Sequence, residues 1–488
     1  MHSEDRPDVL LIAAPSTMES RFKSTTSLYK PTEPLGLLYI AANLLKHGYS
    51  VRFIDFNAEG IALPEAISLI EKIQPKILGI SCLTQEAYMV EELLKQVRHT
   101  LPQTPVVMGN VHSSYFFDYY LKNNLSDYVV HGDGEETMVA LTEVILSKGD
   151  PKTVNGISYL DSEGGSVTTP PNIINDLDAL PPPAWELAKI EKYKASFYYN
   201  FQPDRTRIMI SSRGCPIGCT FCTIHDGKKV RFHSAERVVA EIQHLVDTYG
   251  TTHINFQDPM FLTRPSRVRD ICNGLIDKGI KIGWACEAHV NYAREDLFEI
   301  MKKAGCHTVF FGLECGDDAL LKNIGKRTTV EQGKKAIHMA RKYGLKPVGF
   351  FLLGVPGETE ALSQKTIDFG LSLPLDMAFF SITVPLPGSQ MFKEFVENDK
   401  RFDPYNWNGF SNTGYFGDKN PEWSPPGLPY EKLKVIQANG MRRFHLRPKM
   451  ILRHLWTLRR ATLHDFKAVL MTTWMTLKES FASRPTSS

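Results

Sequence analysis

The sequence predicts an α/β protein made of two parallel sheets in succession. Short apolar runs alternate with helical patterns over residues 1–150, and they do so again over 204–400. That alternation marks parallel strands joined by crossover helices. Between the blocks, 151–203 is rich in Pro, Gly, Asn and Asp and reads as a linker carrying a β-hairpin. Beyond 400 the strand signals stop. The expectation is an N-terminal doubly wound parallel sheet (1–150), the linker (151–203), a partial (βα)6 barrel (204–400) and a C-terminal helical cap (401–488).

Each element has its own signal. In the first block strands are expected at 9–14, 50–55, 77–81, 106–108 and 128–131. Helices are expected from Pro34 to a Gly48 stop, at 64–73 and at 85–100. A hairpin is expected within 156–167. In the second block strands fall at 208–211, 253–256, 282–285, 308–312, 347–353 and 377–383, with helices at 235–249, 268–278, 294–304, 330–343 and 360–371. Six βα units make a partial barrel, and barrel chemistry sits where strands end and loops begin. The tail opens as an aromatic loop (Trp407, Phe410, Tyr415, Phe416, Trp423) and continues as a helix over 430–444. Residues 449–481 then mix Leu and Trp with Arg and Lys. They read as a helical cap or as a basic amphipathic surface for membranes or lipid-like substrates.

Composition narrows the function classes. Of 488 residues 42% are hydrophobic and 23% charged, as in ordinary globular proteins, and the net charge of +2 carries no global nucleic-acid signature. Eight cysteines without framework spacing fit a reducing, cytoplasmic setting. The acidic start is no signal peptide, and no apolar run is long enough to span a membrane.

The chemistry concentrates at 211–230. Cys215, Cys219 and Cys222 stand at C-x3-C-x2-C spacing on a strand-to-helix loop, with Gly214 and Gly218 permitting a tight backbone. Three converging thiolates suit a soft metal centre. Zinc, with His225 as a fourth ligand, is one alternative. The other five cysteines (Cys82, Cys272, Cys286, Cys306, Cys315) read as small buried apolar residues.

The spacing, with Phe221 before the last cysteine, resembles the signature of the radical S-adenosylmethionine (SAM) superfamily. The resemblance implies that Cys215, Cys219 and Cys222 hold a 4Fe–4S cluster, with SAM on its open iron and Phe221 near the adenine. It also gives expected roles at the barrel strand ends. Asp258 stands near the position for the methionine amine, Glu314 would hold SAM ribose or amino groups, and Gly354 would offer backbone to adenine. His289 and Ser389 depart from the Arg and Thr of many relatives. Glu358 reads equally as a cap of the following helix.

The first block resembles the cobalamin-binding domain. Ser81-Cys82-Leu83 matches the S-x-L of the third strand end, and Gly109-Asn110 half-matches the G-G of the fourth, so Ser81, Leu83 and Gly109 are the expected cobalamin contacts. Asp55-x-Asn57-x-x-Gly60 is not the cobalt-ligand motif, because it follows the second strand. Glu33 takes the place of the ligating histidine, so cobalamin is expected without a histidine on the metal. The combined resemblance, over residues 8 to about 400, implies a cobalamin-dependent radical SAM enzyme that methylates an unactivated carbon of a small-molecule or lipid-like substrate. One SAM provides the methyl group and a second the radical, with an electron donor such as flavodoxin or ferredoxin. Oxidative cyclisation or ring rearrangement on the same scaffold is the first alternative. Methylthio transfer to RNA fits poorly, since only Cys82 precedes the barrel, and no nucleic-acid partner is expected. A non-enzymatic cobalamin or redox sensor would bind the cofactors without cleaving SAM.

Overall fold

In the computed structural model, which describes residues 6–15, 31–193, 205–223, 229–399, 403–407, 423–448 and 450–452, the two parallel sheets meet at their carboxyl ends. The N-terminal sheet contains β1 (Val9–Ala13), β2 (Val51–Asp55), β3 (Ile77–Ser81), β4 (Val106–Gly109) and β5 (Tyr128–Val130), all parallel, in the order β2-β1-β3-β4-β5. The first four residues of β1, Val9 to Ile12, are fully buried, because helices cover both faces of the sheet. These helices include α1 (Leu35–Lys46), α2 (Leu63–Ile73), α3 (Ala87–Thr100) and α4 (Gly134–Ser147). The strand order reverses between β1 and β3, and open sheets of this kind bind ligands in the crevice beyond such a switch point.

Two features differ from the sequence reading. The hairpin β6 (Ile157–Leu160) and β7 (Ser166–Thr168) is part of this sheet, with β6 antiparallel to β5. It covers the edge of a three-residue strand and buries Ile157 and Tyr159. The helix α4, with the short helices Val111–Tyr115 and Phe117–Lys122, was not anticipated.

The second sheet runs β8 (Thr206–Met209), β9 (His253–Phe256), β10 (Gly283–Ala288), β11 (Cys306–Glu314), β12 (Lys346–Leu353) and β13 (Met377–Ile382). Its six strands are parallel and neighbours in chain order. Among the described residues β13 does not pair with β8, so the barrel is partial. Outside lie α5 (Ala235–Tyr249), α6 (Pro265–Asp277), α7 (Glu295–Lys303), α8 (Val330–Lys342) and α9 (Glu360–Ser372). Strand alternation gives two apolar layers. Ile254, Phe256, Val309, Phe311, Phe351 and Phe380 pack with the helices. Ala285, Phe310, Val348 and Met377 form a separate cluster on the opposite, inner face, joined by Phe350 and Phe379.

Two further helices follow the barrel strands. α10 (Gln390–Asn398) was missed in the sequence reading. α11 (Tyr430–His445) is the expected tail helix and packs on the barrel through Leu433 and Phe444, with Gln437 donating to the Phe380 carbonyl at 2.6 Å. His225, Phe410, Tyr415, Phe416 and residues 453–488 lie outside the described residues. Among those described, no helix is long and apolar enough to cross a membrane.

The linker is fixed to the N-terminal block by two hydrogen bonds, and the two blocks share part of a core. Ala184 donates to the Leu38 carbonyl at 3.1 Å, and Tyr193 donates to Asp55 at 2.9 Å. Val384 and Phe392, beyond the end of β13, share a core with Phe116 and Tyr120, beyond the end of β4.

Candidate active site

The cysteine loop begins where β8, buried along its length, gives way to Ser211 and Ser212. Gly214 and Gly218 have φ of 94° and 78°, a region that favours glycine. Cys215, Cys219 and Cys222 are half-buried and form no disulfide. Backbone contacts fix the loop from two sides: Thr220 donates to the Ile324 carbonyl at 3.0 Å and accepts from Met391 at 2.9 Å. Gly325, at φ 68°, approaches so closely that a Cβ there would stand 3.1 Å from the Gly218 carbonyl oxygen. Phe221 packs against the cluster of Leu320, Leu321, Ile324 and Val355 at the ends of β11 and β12.

A buried cation accompanies the thiols. Lys326 is 7% exposed, and its Nζ donates to Glu314 Oε1 at 2.8 Å. Burial opposes its charge, but Glu314, Cys219 and Cys215 together hold the ammonium above its ordinary value. Burial pushes the Cys219 thiol up to about 12, with Lys326 pulling the other way. Glu314 itself sits at φ 58°, a strained conformation for a non-glycine residue. His289 is pushed down to about 4, first by burial and then by Lys326. Its Nδ1 accepts from Asn291 at 3.3 Å, so Nε2 donates to the Lys326 carbonyl at 3.2 Å and steadies that residue. No sequence motif singled out Lys326; only its burial beside the thiols reveals it.

These groups suit an iron–sulfur cluster. A buried lysine beside the thiols matches the negative charge of a thiolate-ligated cluster, and a thiol pushed up to about 12 needs a metal to become a thiolate.

The remaining strand ends divide into braces and open groups. Asp258 is fully buried; its oxygens accept from Ser211 N at 2.6 Å, Ser211 Oγ at 2.5 Å and Ser212 Oγ at 2.7 Å. Its carboxylate therefore braces the entry to the cysteine loop, whereas the sequence reading placed it near the methionine amine. Gly354 gives its N–H to Glu358, which also accepts from Val355 at 2.8 Å and Ser363 at 2.7 Å. Only the carbonyl of Gly354 is left for a ligand, and Glu358 organises the turn. Ser389 caps α10 by accepting from Phe392 at 3.1 Å. Glu287 keeps exposed surface although protein surrounds it, as a side chain in the barrel interior does. Burial and then Asp258 raise its carboxyl to about 7, while Lys326 opposes the rise.

In the N-terminal sheet Ser81 ends β3 and Gly109 ends β4. Asn110, at φ 81°, donates to Ser81 Oγ at 3.0 Å, and Leu83 is exposed. A Cβ on Gly109 would meet nothing nearer than Val130 at 4.0 Å, so this edge is open, as a bulky nucleotide tail requires. Glu33 is buried with Arg207 of β8 at 3.7 Å. Burial raises its carboxyl to about 7, and its Oε1 has no hydrogen-bond partner. Beyond the end of β4 the imidazole of His112 is packed against Phe116, Tyr120 and Trp407, with Nδ1 on Thr84 at 3.1 Å. Burial pushes it down to about 3.

Comparison with known proteins agrees with this layout. The family model described as the radical SAM superfamily matches residues 209–370, and that of the B12 binding domain matches 24–142. An uncharacterized methyltransferase from Pyrococcus horikoshii is 30% identical over 92% of this chain and 94% of its own length. An anaerobic magnesium-protoporphyrin IX monomethyl ester cyclase from Rubrivivax gelatinosus is 28% identical over 76% of this chain and 67% of its own. A radical SAM methyltransferase from Kitasatospora setae, solved with cobalamin and a 4Fe–4S cluster, superposes with a TM-score of 0.69 at 16% identity, covering 91% of this chain and 90% of that one. The chain belongs to the radical SAM superfamily, in the branch that carries an N-terminal B12 binding domain. It is a radical SAM enzyme: its cofactors are a 4Fe–4S cluster, SAM and cobalamin, and it requires a reductant.

Proposed function

We propose that this enzyme methylates an unactivated carbon of a small-molecule or lipid-like substrate. The observation that carries this reading is the apposition of the two carboxyl edges. The turn after β5 is hydrogen-bonded to the start of the cysteine loop, through Asp133 and Arg213 at 2.8 Å, so a cofactor on either edge borders the same space. When bound, the cluster supplies the electron that cleaves SAM, and cobalamin carries the methyl group. In this reading Cys215, Cys219 and Cys222 hold the cluster. Lys326 and Glu314 meet the polar end of SAM, with Phe221 and the Gly354 carbonyl at its adenine. Ser81, Leu83 and Gly109 line the slot for the cobalamin tail, and Asp258 keeps the loop entry rigid rather than touching SAM.

Cyclisation is the second reading, favoured by the likeness to the Rubrivivax cyclase. The mass of the product separates the two, since a gain of one methylene means methylation and its absence with SAM cleavage means cyclisation or rearrangement. The reading also assigns the enzyme to the cytoplasm, with flavodoxin or ferredoxin as electron donor and no nucleic-acid partner. Peripheral membrane contact through the C-terminal tail is supported by Leu446, Ile451 and Leu452, apolar and 49%, 42% and 67% exposed, near Arg442 and Arg443. Deleting residues 445–488 is expected to abolish liposome binding while sparing SAM cleavage; unchanged binding overturns the membrane assignment.

A further inference from the structure

The cysteine loop is zipped at its base. Ser212–Arg213 pairs antiparallel with Arg231–Phe232, placing Arg213 directly opposite Arg231 just ahead of the three cysteines. Like charges facing each other across paired strands drive them apart. Both guanidinium groups are also shielded from water, with side chains 12% and 3% exposed. The compensation comes from the N-terminal domain. Asp133, in the turn between β5 and α4, reaches between them. Its Oδ1 accepts from Arg213 Nη1 at 2.8 Å and its Oδ2 from Arg231 Nη1. Glu135, in the first turn of α4, accepts from both terminal nitrogens of Arg213. Ile174 of the linker fixes the group, its N–H donating to Asp133 at 2.8 Å and its carbonyl accepting from Arg231 at 2.6 Å. Two cations of the barrel thus meet two carboxylates of the other domain.

We infer that Asp133 and Glu135 are positioning residues for the cysteine loop: the N-terminal domain holds the neck of the loop shut, and the barrel keeps its cluster only while that domain is docked. Without one carboxylate, two buried arginines face each other under-compensated, which is far costlier than losing an exposed ion pair. The neck then opens, and the cysteines lose the fixed spacing a cluster needs. Because the turn carrying these residues lies at the carboxyl edge of the sheet, a ligand that orders this edge tightens the neck as well. The inference rests on the reading that Cys215, Cys219 and Cys222 hold the cluster.

The test uses the full chain, reconstituted anaerobically with iron and sulfide, and follows iron release to a chelator. Asp133→Asn and Glu135→Gln remove charge with little change of shape, and each is expected to release iron at least ~10 times faster than wild type, the effect of about 1.4 kcal/mol on loop opening. Glu143→Gln, on an exposed part of α4, keeps the wild-type rate. The double variant Arg213→Gln/Glu135→Gln removes a cation and an anion together and should release iron more slowly than Glu135→Gln alone, whereas generally loosened packing would make the two effects add. In iron-free protein, amide hydrogen exchange over 212–222 should quicken in both single variants. Wild-type release and exchange in Glu135→Gln, or additivity in the double variant, overturns the inference even where Asp133→Asn does not fold. A wild-type protein that takes up no iron overturns the cluster reading instead.

Discussion

Replacing Lys326 by Met removes the only described cation paired with Glu314. The pair is 2.8 Å apart with both side chains 9% exposed, so solvent screens it little. At an effective dielectric of about 20 the attraction is about 6 kcal/mol, mostly offset by desolvation. Truncating one partner strands a buried carboxylate, at about 3–5 kcal/mol. The same ammonium acts on Cys215 and Cys219. A unit charge on the order of 10 Å from the cluster, again at a dielectric of about 20, is worth roughly 1.7 kcal/mol, or about 70 mV for one electron. Losing that charge disfavours the reduced cluster, so the midpoint potential is expected to fall by about 70 mV in Lys326→Met and to stay near wild type in Lys326→Arg. A redox titration followed by paramagnetic resonance measures this. A Lys326→Met protein with full iron content and a potential within about 20 mV of wild type refutes the electrostatic role.

Further outcomes follow from the same geometry. Changing Cys215, Cys219 and Cys222 together to Ala should abolish iron and the brown colour of anaerobic protein, while the same change at the buried Cys272, Cys286 and Cys306 leaves iron content alone; iron assays on both triple variants check this. Gly109→Leu fills the open edge beside Ser81 and should weaken cobalamin binding at least ~10-fold, a change of about 1.4 kcal/mol, with the cluster intact; equilibrium dialysis reads the first and iron content the second. The cobalt(II) resonance of bound cobalamin should show no nitrogen splitting from a histidine, since His112 is enclosed among aromatic rings. Burial raises the Glu241 carboxyl to about 7, opposed by Arg237. Being neutral when folded and ionised when unfolded, it makes stability fall as pH rises from about 4.5 to 7. Glu241→Gln should flatten that stretch of a plot of Tm against pH.

The sequence displayed its periodic features well. The runs at 77–81 and 253–256 are strands with those bounds: the first is a nearly continuous apolar run, as a strand covered on both faces is, and in the second His253 and Asn255 alternate with Ile254 and Phe256. The cysteine spacing was equally plain, being local. What stayed hidden depends on tertiary contact. Lys326 looks like any surface lysine until the Gly325 turn folds it against the thiols. Asp258 reads from the sequence as a SAM contact, and nothing local records that Ser211 and Ser212 donate to its oxygens. The hairpin at 157–168 reads as linker because nothing local records the open edge of β5. Arg213 and Asp133 are 80 residues apart, a separation no periodicity bridges.

The central claim is most directly tested by the fate of SAM. Full-length enzyme loaded with cluster and cobalamin is incubated with reductant, a substrate-bearing small-molecule extract and SAM carrying a deuterated methyl group, and the products are quantified by mass spectrometry. Methylation consumes one SAM for its methyl group and a second for its radical. The expected result is equal yields of S-adenosylhomocysteine and 5′-deoxyadenosine, with the deuterated methyl group in a product. Formation of 5′-deoxyadenosine with a changed substrate but no S-adenosylhomocysteine and no transferred label contradicts the account.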